Sequence, residues 1–196
     1  MAKDLEFFDA PINDPKIWDH NKQYTDGKGG GYFAASSGIT AGTTVKLGTP
    51  IYFDLSTHIV HVVKNALVIT GGTTTAPRVS KKNLLSVGEF VYVSGDAVAI
   101  NSIDKTNAAY DTLTLSAPCV GATAGAYLEQ ATAAGATPAL KYAVNALLGE
   151  AVKNVQGGER VMPVMWVFEL INSAKLPYDV SPATVAALVS NGFKIV

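Results

Sequence analysis

Two histidines are the residues of this chain best suited to binding a metal ion. His58 and His61 stand in the segment THIVHVV, whose β-branched residues favour a strand from Thr57 to Val63. Side chains three positions apart on a strand point to opposite faces, so these two imidazoles cannot bind one ion together. No neighbouring residue completes the ligand spacing of a zinc site. We therefore expect structural roles for both histidines and no bound metal.

Three aspartates are the candidates for acid–base chemistry or cation binding. Asp96 follows Gly95 in a turn, Asp104 begins a polar connection, and Asp111 lies in a β-like run. Aspartates in turns typically accept hydrogen bonds from nearby backbone amides, and the spacing is not that of a calcium-binding loop. We predict structural roles for all three. A hydrolase with a hidden pair of carboxylates is the enzymatic alternative.

A nucleophile or a phosphate-binding loop would need a context that this chain does not provide. The lone cysteine, Cys119, stands in SAPCVGA, where no adjacent residue would activate a thiol. The glycine cluster Gly27–Gly31 lacks the Lys-Ser/Thr ending of a phosphate-binding loop, and we expect a flexible linker there. No GxSxG motif is present. These residues predict a protein that is not an enzyme and has no cofactor.

The composition argues against several classes of partner. The 196 residues include 15 basic and 16 acidic side chains, giving a net charge of −1, so we expect no binding of nucleic acid. The small basic cluster of Arg78, Lys81 and Lys82 is predicted to be a solvated loop. No apolar run has the length of a membrane span, and the N-terminus does not resemble a signal peptide. Synthesis in a cytoplasm without membrane insertion is expected.

Short, evenly spaced strands define the centre of the chain. Turn residues separate apolar runs throughout Val87–Leu115, which favours a barrel or sandwich over a βαβ fold. Besides Thr57–Val63, strands are predicted at Ala66–Thr70, Phe90–Val93, Val98–Ile103 and Tyr110–Leu115. The fold class expected is mainly β with minor α: a small β-barrel or β-sandwich module over residues 34–135.

The end of the chain is predicted to be a small α+β unit over residues 136–196. Ser181 is a good helix N-cap and Pro182 suits the first helical position, so a helix is expected over Ala183–Ser190. Its inward side chains would be Val185, Leu188 and Val189. A last strand is expected at Phe193–Val196. The segment Pro138–Leu148 fits either a helix or an extended conformation.

Residues 1–33 are predicted to form an irregular arm because proline and glycine interrupt them throughout. The arm is rich in aromatic residues, which are effective interface anchors since they bury a large apolar area with few rotatable bonds. It could lie on its own domain, on a neighbouring subunit or on another protein. The side chains proposed for an interface are Phe7, Phe8, Trp18 and Tyr24.

The apolar run Val161–Ile171 is a second candidate interface, with Met165, Trp166 and Phe168 as its large side chains. Pro163 in this run argues against a central strand and for an edge or a bulge. A homo-oligomer would bury such a run between its subunits.

Three segments resemble head-fibre and capsid-decoration proteins of tailed bacteriophages, of the type found in phages and prophages of Bacteroidales. They are Gly48–Ala66 (GTPIYFDLSTHIVHVVKNA), Lys82–Leu115 (with VGEFVYV and AINSIDKTNAAYDTLTL) and Leu176–Val196 (LPYDVSPATVAALVSNGFKIV). The resemblance implies a structural virion protein on the capsid surface, made in the host cytoplasm. It further implies a homotrimer that binds the major capsid protein through one end and projects the other. It supplies no catalytic residues.

A carbohydrate-binding module that recognises surface glycans is the alternative function. Trp18 or Tyr32 would then stack on sugar rings.

Overall fold

The structure of the protein is a computed structural model that describes residues 24–26, 31–34, 38–40, 42–153, 160–161, 163–167 and 170–195. The described residues form a closed β-barrel, a five-stranded sheet, smaller strand pairs and a single α-helix. This confirms the prediction of a mainly-β fold with minor α.

The strands follow one another along the chain with short bounds. They are β1 (Tyr24–Asp26), β2 (Gly31–Tyr32), β3 (Thr44–Val45), β4 (Pro50–Phe53), β5 (Val60–Val62), β6 (Asn65–Ile69), β7 (Arg78–Ser80), β8 (Phe90–Tyr92), β9 (Val98–Asp104), β10 (Tyr110–Leu115), β11 (Tyr127–Ala131), β12 (Ala146–Leu148), β13 (Val152–Lys153), β14 (Arg160–Val161), β15 (Pro163–Val167), β16 (Leu170–Ile171) and β17 (Lys194–Ile195). A 3-10 helix (Ser173–Lys175) and helix α1 (Pro182–Ser190) precede β17.

The five-stranded sheet is antiparallel, in the order β1-β15-β12-β4-β5. Successive side chains of a strand point to opposite faces, so Ala146 and Leu148 of β12 join one apolar cluster and Leu147 joins another. The first cluster consists of Phe33, Ile39, Val45, Ile51, Phe53, Val60, Val62, Ala146 and Leu148. The second consists of Leu47, Val144, Leu147, Ile171, Leu176, Leu188 and Phe193. Helix α1 therefore covers one face of the sheet through Leu188.

The barrel closes in the order β10-β7-β6-β11-β8-β9 and has its own core. Alternation in β10 turns Leu113 and Leu115 inward, as period-two spacing requires. The buried side chains are Ala66, Val68, Val79, Leu85, Val91, Val98, Ile100, Leu113, Leu115, Cys119, Ala122 and Leu128. The strands predicted at Phe90–Val93, Val98–Ile103 and Tyr110–Leu115 are β8, β9 and β10, and the barrel is confirmed.

The barrel is inserted into the chain that forms the sheet. Strands β4 and β5 come before it and β12 and β15 come after it, and Ile51 of β4 pairs with Ala146 of β12. This pairing crosses the boundary predicted at residue 135. The structure thus divides the chain into an inserted barrel, β6 to β11, and a sheet unit made from both flanking segments.

The two ends of the barrel have different surroundings. At one end, which we call the loop end, the connections after β6, β8 and β10 contact each other: Cys119 N donates to Thr74 O at 2.9 Å, and Ser94 N to Val120 O at 3.3 Å. The opposite end faces helix α1, since Asn65, the first residue of β6, is bonded to Thr184. The sheet unit therefore holds the barrel by one end.

The prediction for the C-terminal helix is confirmed in its position and its cap. The Ser181 side chain accepts a hydrogen bond from Thr184 N at 3.0 Å, and Pro182 occupies the first helical position. Leu188 is fully buried as expected. Val189 was expected to face inward but is 50% exposed, because Thr184 and Leu188, four positions apart, set the buried side of the helix.

Three predicted elements need correction. Residues 138–148 form no helix: they are extended and end in β12, because Leu147 and its neighbours are claimed by strands on both sides. The strand predicted at Thr57–Val63 is shortened to β5, since residues 55–57 form the turn of a hairpin. Strand β15 is an inner strand, which Pro163 tolerates as its first residue.

Part of the predicted arm belongs to the folded unit. Strand β1 pairs with β15, strand β2 pairs with β14, and Phe33 is fully buried. Gly31 is no linker residue: a Cβ there would lie 2.5 Å from Val60 Cγ2. Of the arm, residues 1–23 and 27–30 lie outside the described residues.

Candidate functional site

The structure brings the two predicted interface segments together. Tyr24 of β1 pairs with Val167 of β15, and Thr25 pairs with Trp166. The register then shifts, because Asp26 pairs with Val164 and Met165 is skipped, which places a bulge in the run where Pro163 suggested an edge or a bulge. The arm and the apolar run are therefore neighbouring strands of one sheet.

The remaining predicted interface residues are not brought into this arrangement. Phe7, Phe8, Trp18 and Phe168 lie outside the described residues. Strand β1 is the last strand of the sheet on its side, so its outer backbone groups have no strand partner among the described residues. An outer strand of this kind can pair with another chain.

A buried ion pair joins the sheet unit to the barrel. Lys64, between β5 and β6, bonds Glu89 and also donates to Gly38 O at 2.6 Å. Its side chain is only 1% exposed. The other oxygen of Glu89 accepts from Ser86 N at 2.9 Å. Every polar group of the pair is thus satisfied, which a charge in such a site requires.

Burial lowers the pKa of Lys64, and the negative charge of Glu89 opposes this shift. The ammonium group is paired on all accessible sides and cannot meet a substrate. Its position favours a role as a joint between the two units over a role as a nucleophile.

An aromatic stack lies beside this ion pair. The rings of His61 and Tyr142 are parallel within 16° with centroids 4.2 Å apart, and Tyr52 stacks 5.9 Å from Tyr142. Burial, and then the charge of Glu89, raise the pKa of Tyr142. Lys141 Nζ lies 5.8 Å from the Tyr142 ring centroid. The stack holds the segment before β12 against the hairpin of β4 and β5.

A second buried network connects the barrel with helix α1. The Thr184 hydroxyl accepts from Asn65 Nδ2 at 2.8 Å and lies 3.1 Å from the Ser181 hydroxyl. Ser181 in turn donates to Glu129 of β11. The helix cap and the two adjoining barrel strands β6 and β11 therefore share one chain of hydrogen bonds.

Asp179 closes the seam between barrel strands β6 and β7. Its Oδ2 atom accepts from Leu67 N at 2.9 Å and from the Ser80 hydroxyl, and its own N–H donates to Lys82 O at 2.7 Å. Burial raises the pKa of Asp179, against the opposing effect of these hydrogen bonds. A carboxylate from the C-terminal segment thus replaces the hydrogen-bond partner that a longer β7 would supply.

A cleft of about 470 Å³ opens at this junction of helix and barrel. Tyr127, Tyr178, Asp179 and Lys82 line it together with apolar side chains of the helix segment. Its size is that of a site for a small molecule. We call it the junction cleft.

The aspartates and basic residues singled out from the sequence have structural partners. Asp104 accepts from the amide and hydroxyl of Thr106 at 2.9 and 2.7 Å, and Asp111 bonds Lys81 at 2.5 Å. Arg78 lies over the Tyr110 ring at 4.5 Å. The basic cluster is therefore not a solvated loop as expected, since two of its three cations are engaged.

The other candidates for chemistry are kept apart. His58 lies in the hairpin loop with a φ of 59°, edge-on to Phe53, while His61 joins the aromatic stack. Cys119 is buried in the barrel core, and burial raises the pKa of its thiol. Asp96 is exposed in its turn.

The sequence reasoning missed the residues at the junction. Lys64 and Asn65 interrupt two apolar strands, and such polar residues between buried strands signal a satisfied internal contact. Asp179, Thr184 and Glu129 gave no comparable signal because their partners are distant in the chain.

Within the described ranges, no group of three histidine, cysteine, aspartate or glutamate side chains could hold a metal ion, and no helix there has the length and apolarity to cross a membrane. Comparisons of the chain with protein-family models, curated proteins and solved structures find no match.

Proposed function

We propose that the protein is a structural virion component, a head-fibre or decoration protein that attaches to the outside of a phage capsid and acts by oligomeric docking without catalysis. The observation that carries the proposal is the use of the buried charges. Lys64, Glu89 and Asp179 each bond a segment distant in sequence. Charges committed to internal joints favour a rigid building block over a reactive site.

The architecture supports the same role. The inserted barrel is held at one end by the sheet unit and leaves the loop end facing away from helix α1. A projecting module on a base made from both ends of the chain suits a protein that binds with one end. The resemblance to head-fibre proteins points in the same direction.

Oligomeric docking would act through multivalency. Linked copies on a symmetric capsid site raise the effective concentration of each contact, so three weak contacts give firm attachment. Strand β1 and the apolar strand β15 next to it are the proposed subunit-facing elements, with a homotrimer as the proposed assembly and the major capsid protein as the partner.

The test measures oligomer mass and capsid binding of the full chain and of a chain lacking residues 1–22. A deletion through residue 33 is unsuitable because it would also remove β1, β2 and the buried Phe33. Light scattering should give a trimer for the full chain at micromolar concentration. Co-sedimentation with capsids of the major capsid protein encoded in the same genome should be weakened by the deletion. A full-length monomer that does not sediment with capsids would refute the proposal.

A carbohydrate-binding module is the second candidate function. Tyr32 of β2 is 37% exposed, so its ring has surface available for stacking on a sugar. Loss of glycan-array binding in Tyr32→Ala or Trp18→Ala would support this function, and unchanged binding in both variants would exclude these two residues as its platform.

A further inference from the structure

The junction cleft combines aromatic, apolar and polar surface in one concave site. Tyr127 comes from barrel strand β11 and Tyr178 from the segment before α1, so two units of the fold contribute to it. Both side chains are half-buried, and Leu176 and Ala186 add apolar surface. Phenol rings beside aliphatic carbon suit a ligand that has flat C–H faces.

One polar atom in this cleft has no use inside the protein. Both hydrogen bonds that the Asp179 carboxylate accepts, from Leu67 N and from Ser80, go to Oδ2. No donor among the described residues reaches Oδ1. A carboxylate that is fixed by one oxygen and unoccupied at the other is a rigid acceptor for a ligand hydroxyl or amide.

The charges around the cleft select for a neutral ligand. Lys82 and Asp179 both line it, and the positive charge of Lys82 acts on the Asp179 carboxylate. An anionic ligand would meet the carboxylate and a cationic ligand would meet the ammonium group. A neutral polyol satisfies both, because its hydroxyls donate to Oδ1 and accept from the lysine.

We propose that the junction cleft is a binding site for a neutral saccharide, with Tyr127 and Tyr178 against the C–H faces of the sugar ring and Asp179 Oδ1 accepting from its hydroxyls. The proposal differs from a platform on Trp18 or Tyr32, neither of which lines this cleft. It also stands without capsid attachment, since it needs only the folded chain.

The test uses saturation-transfer NMR and calorimetry on the full chain. The probes are the methyl glycosides of glucose, galactose, mannose and N-acetylglucosamine, compared with glucuronic acid and glucosamine as charged sugars. Ala186→Trp fills the cleft from an exposed helix position and removes no internal hydrogen bond. Ala183→Trp is the matched control, exposed on the same helix but not lining the cleft. Tyr127→Ala removes one ring.

At least one neutral glycoside should bind, and Ala186→Trp and Tyr127→Ala should each weaken its binding by about tenfold or more. Ala183→Trp should leave binding unchanged. Circular dichroism and the urea midpoint confirm that each variant is folded. The absence of binding by every neutral glycoside would overturn the proposal. So would preference for a charged sugar, or binding that Ala186→Trp does not weaken.

Discussion

The side-chain amide of Asn65, at the start of the barrel, donates a hydrogen bond of 2.8 Å to the hydroxyl of Thr184, which is 119 positions later in helix α1. Both side chains are buried. The same hydroxyl lies next to Ser181, which bonds Glu129 on the other adjoining barrel strand. Since an unsatisfied buried polar group is costly, the barrel and the C-terminal helix are expected to unfold together.

Thr184→Val should destabilise the protein by about 1–3 kcal/mol, because the amide of Asn65 and the hydroxyl of Ser181 lose a buried partner. Urea unfolding followed by circular dichroism measures this. Ser190→Ala is the control, since it removes an exposed hydroxyl of the same helix and should change stability by less than about 0.5 kcal/mol. Equal effects of the two substitutions would show that the network contributes nothing.

Lys64→Met should destabilise the protein by about 3–5 kcal/mol, because it leaves the charge of Glu89 without its buried counter-ion. Glu89→Leu should do the same to Lys64. The double variant should lose clearly less than the sum of the two, since neither charge then remains. A double-mutant cycle in urea measures this coupling, and additive losses would contradict the role of the pair as a joint.

Asp54 should titrate at a pKa of about 2, because the Ser56 side chain and backbone donate hydrogen bonds to its carboxylate. The lowered pKa means that the folded state favours the ionised form. The stabilisation is therefore fully present above pH 3.8, the ordinary value, and is lost as the pH falls through about 2. Carbon-13 NMR of the carboxyl group measures the midpoint. Ser56→Ala should move it upward, and an unchanged midpoint would contradict the assignment.

Gly31→Ala should destabilise the protein by about 1–3 kcal/mol, because the new methyl group would lie 2.5 Å from Val60 Cγ2. Combination with Val60→Ala should recover part of the loss, since that substitution removes the obstructing methyl. Thermal unfolding compares the three variants. If Gly31→Ala is neutral, strand β2 does not pack against β5 as described.

The sequence was sufficient for elements whose signals are local. Strands β8, β9 and β10 alternate polar and apolar residues between clear turns, and Ser181-Pro182 marks the start of helix α1. Such signals depend on neighbouring residues alone. The barrel and the helix were predictable for this reason.

The pairing of distant segments was not predictable in the same way. The segment before β12 has helical spacing, yet its strand neighbours β4 and β15 fix it as extended, so tertiary contacts override the local pattern. Strand β1 has only three residues, and its identity depends on β15, far along the chain. The junction cleft depends likewise on Asp179 meeting Leu67 and Ser80.

The long separation between β1 and β15 has a consequence for synthesis. Translation proceeds from the N-terminus, so Tyr24–Asp26 leaves the ribosome well before Pro163–Val167, with which it pairs. During that interval the barrel can fold, since its strands are contiguous in the chain, while the first strand waits with unsatisfied backbone groups. Neighbouring nascent chains on one messenger RNA would then offer competing partners, and exchange of this strand between them is a direct route to an intertwined assembly.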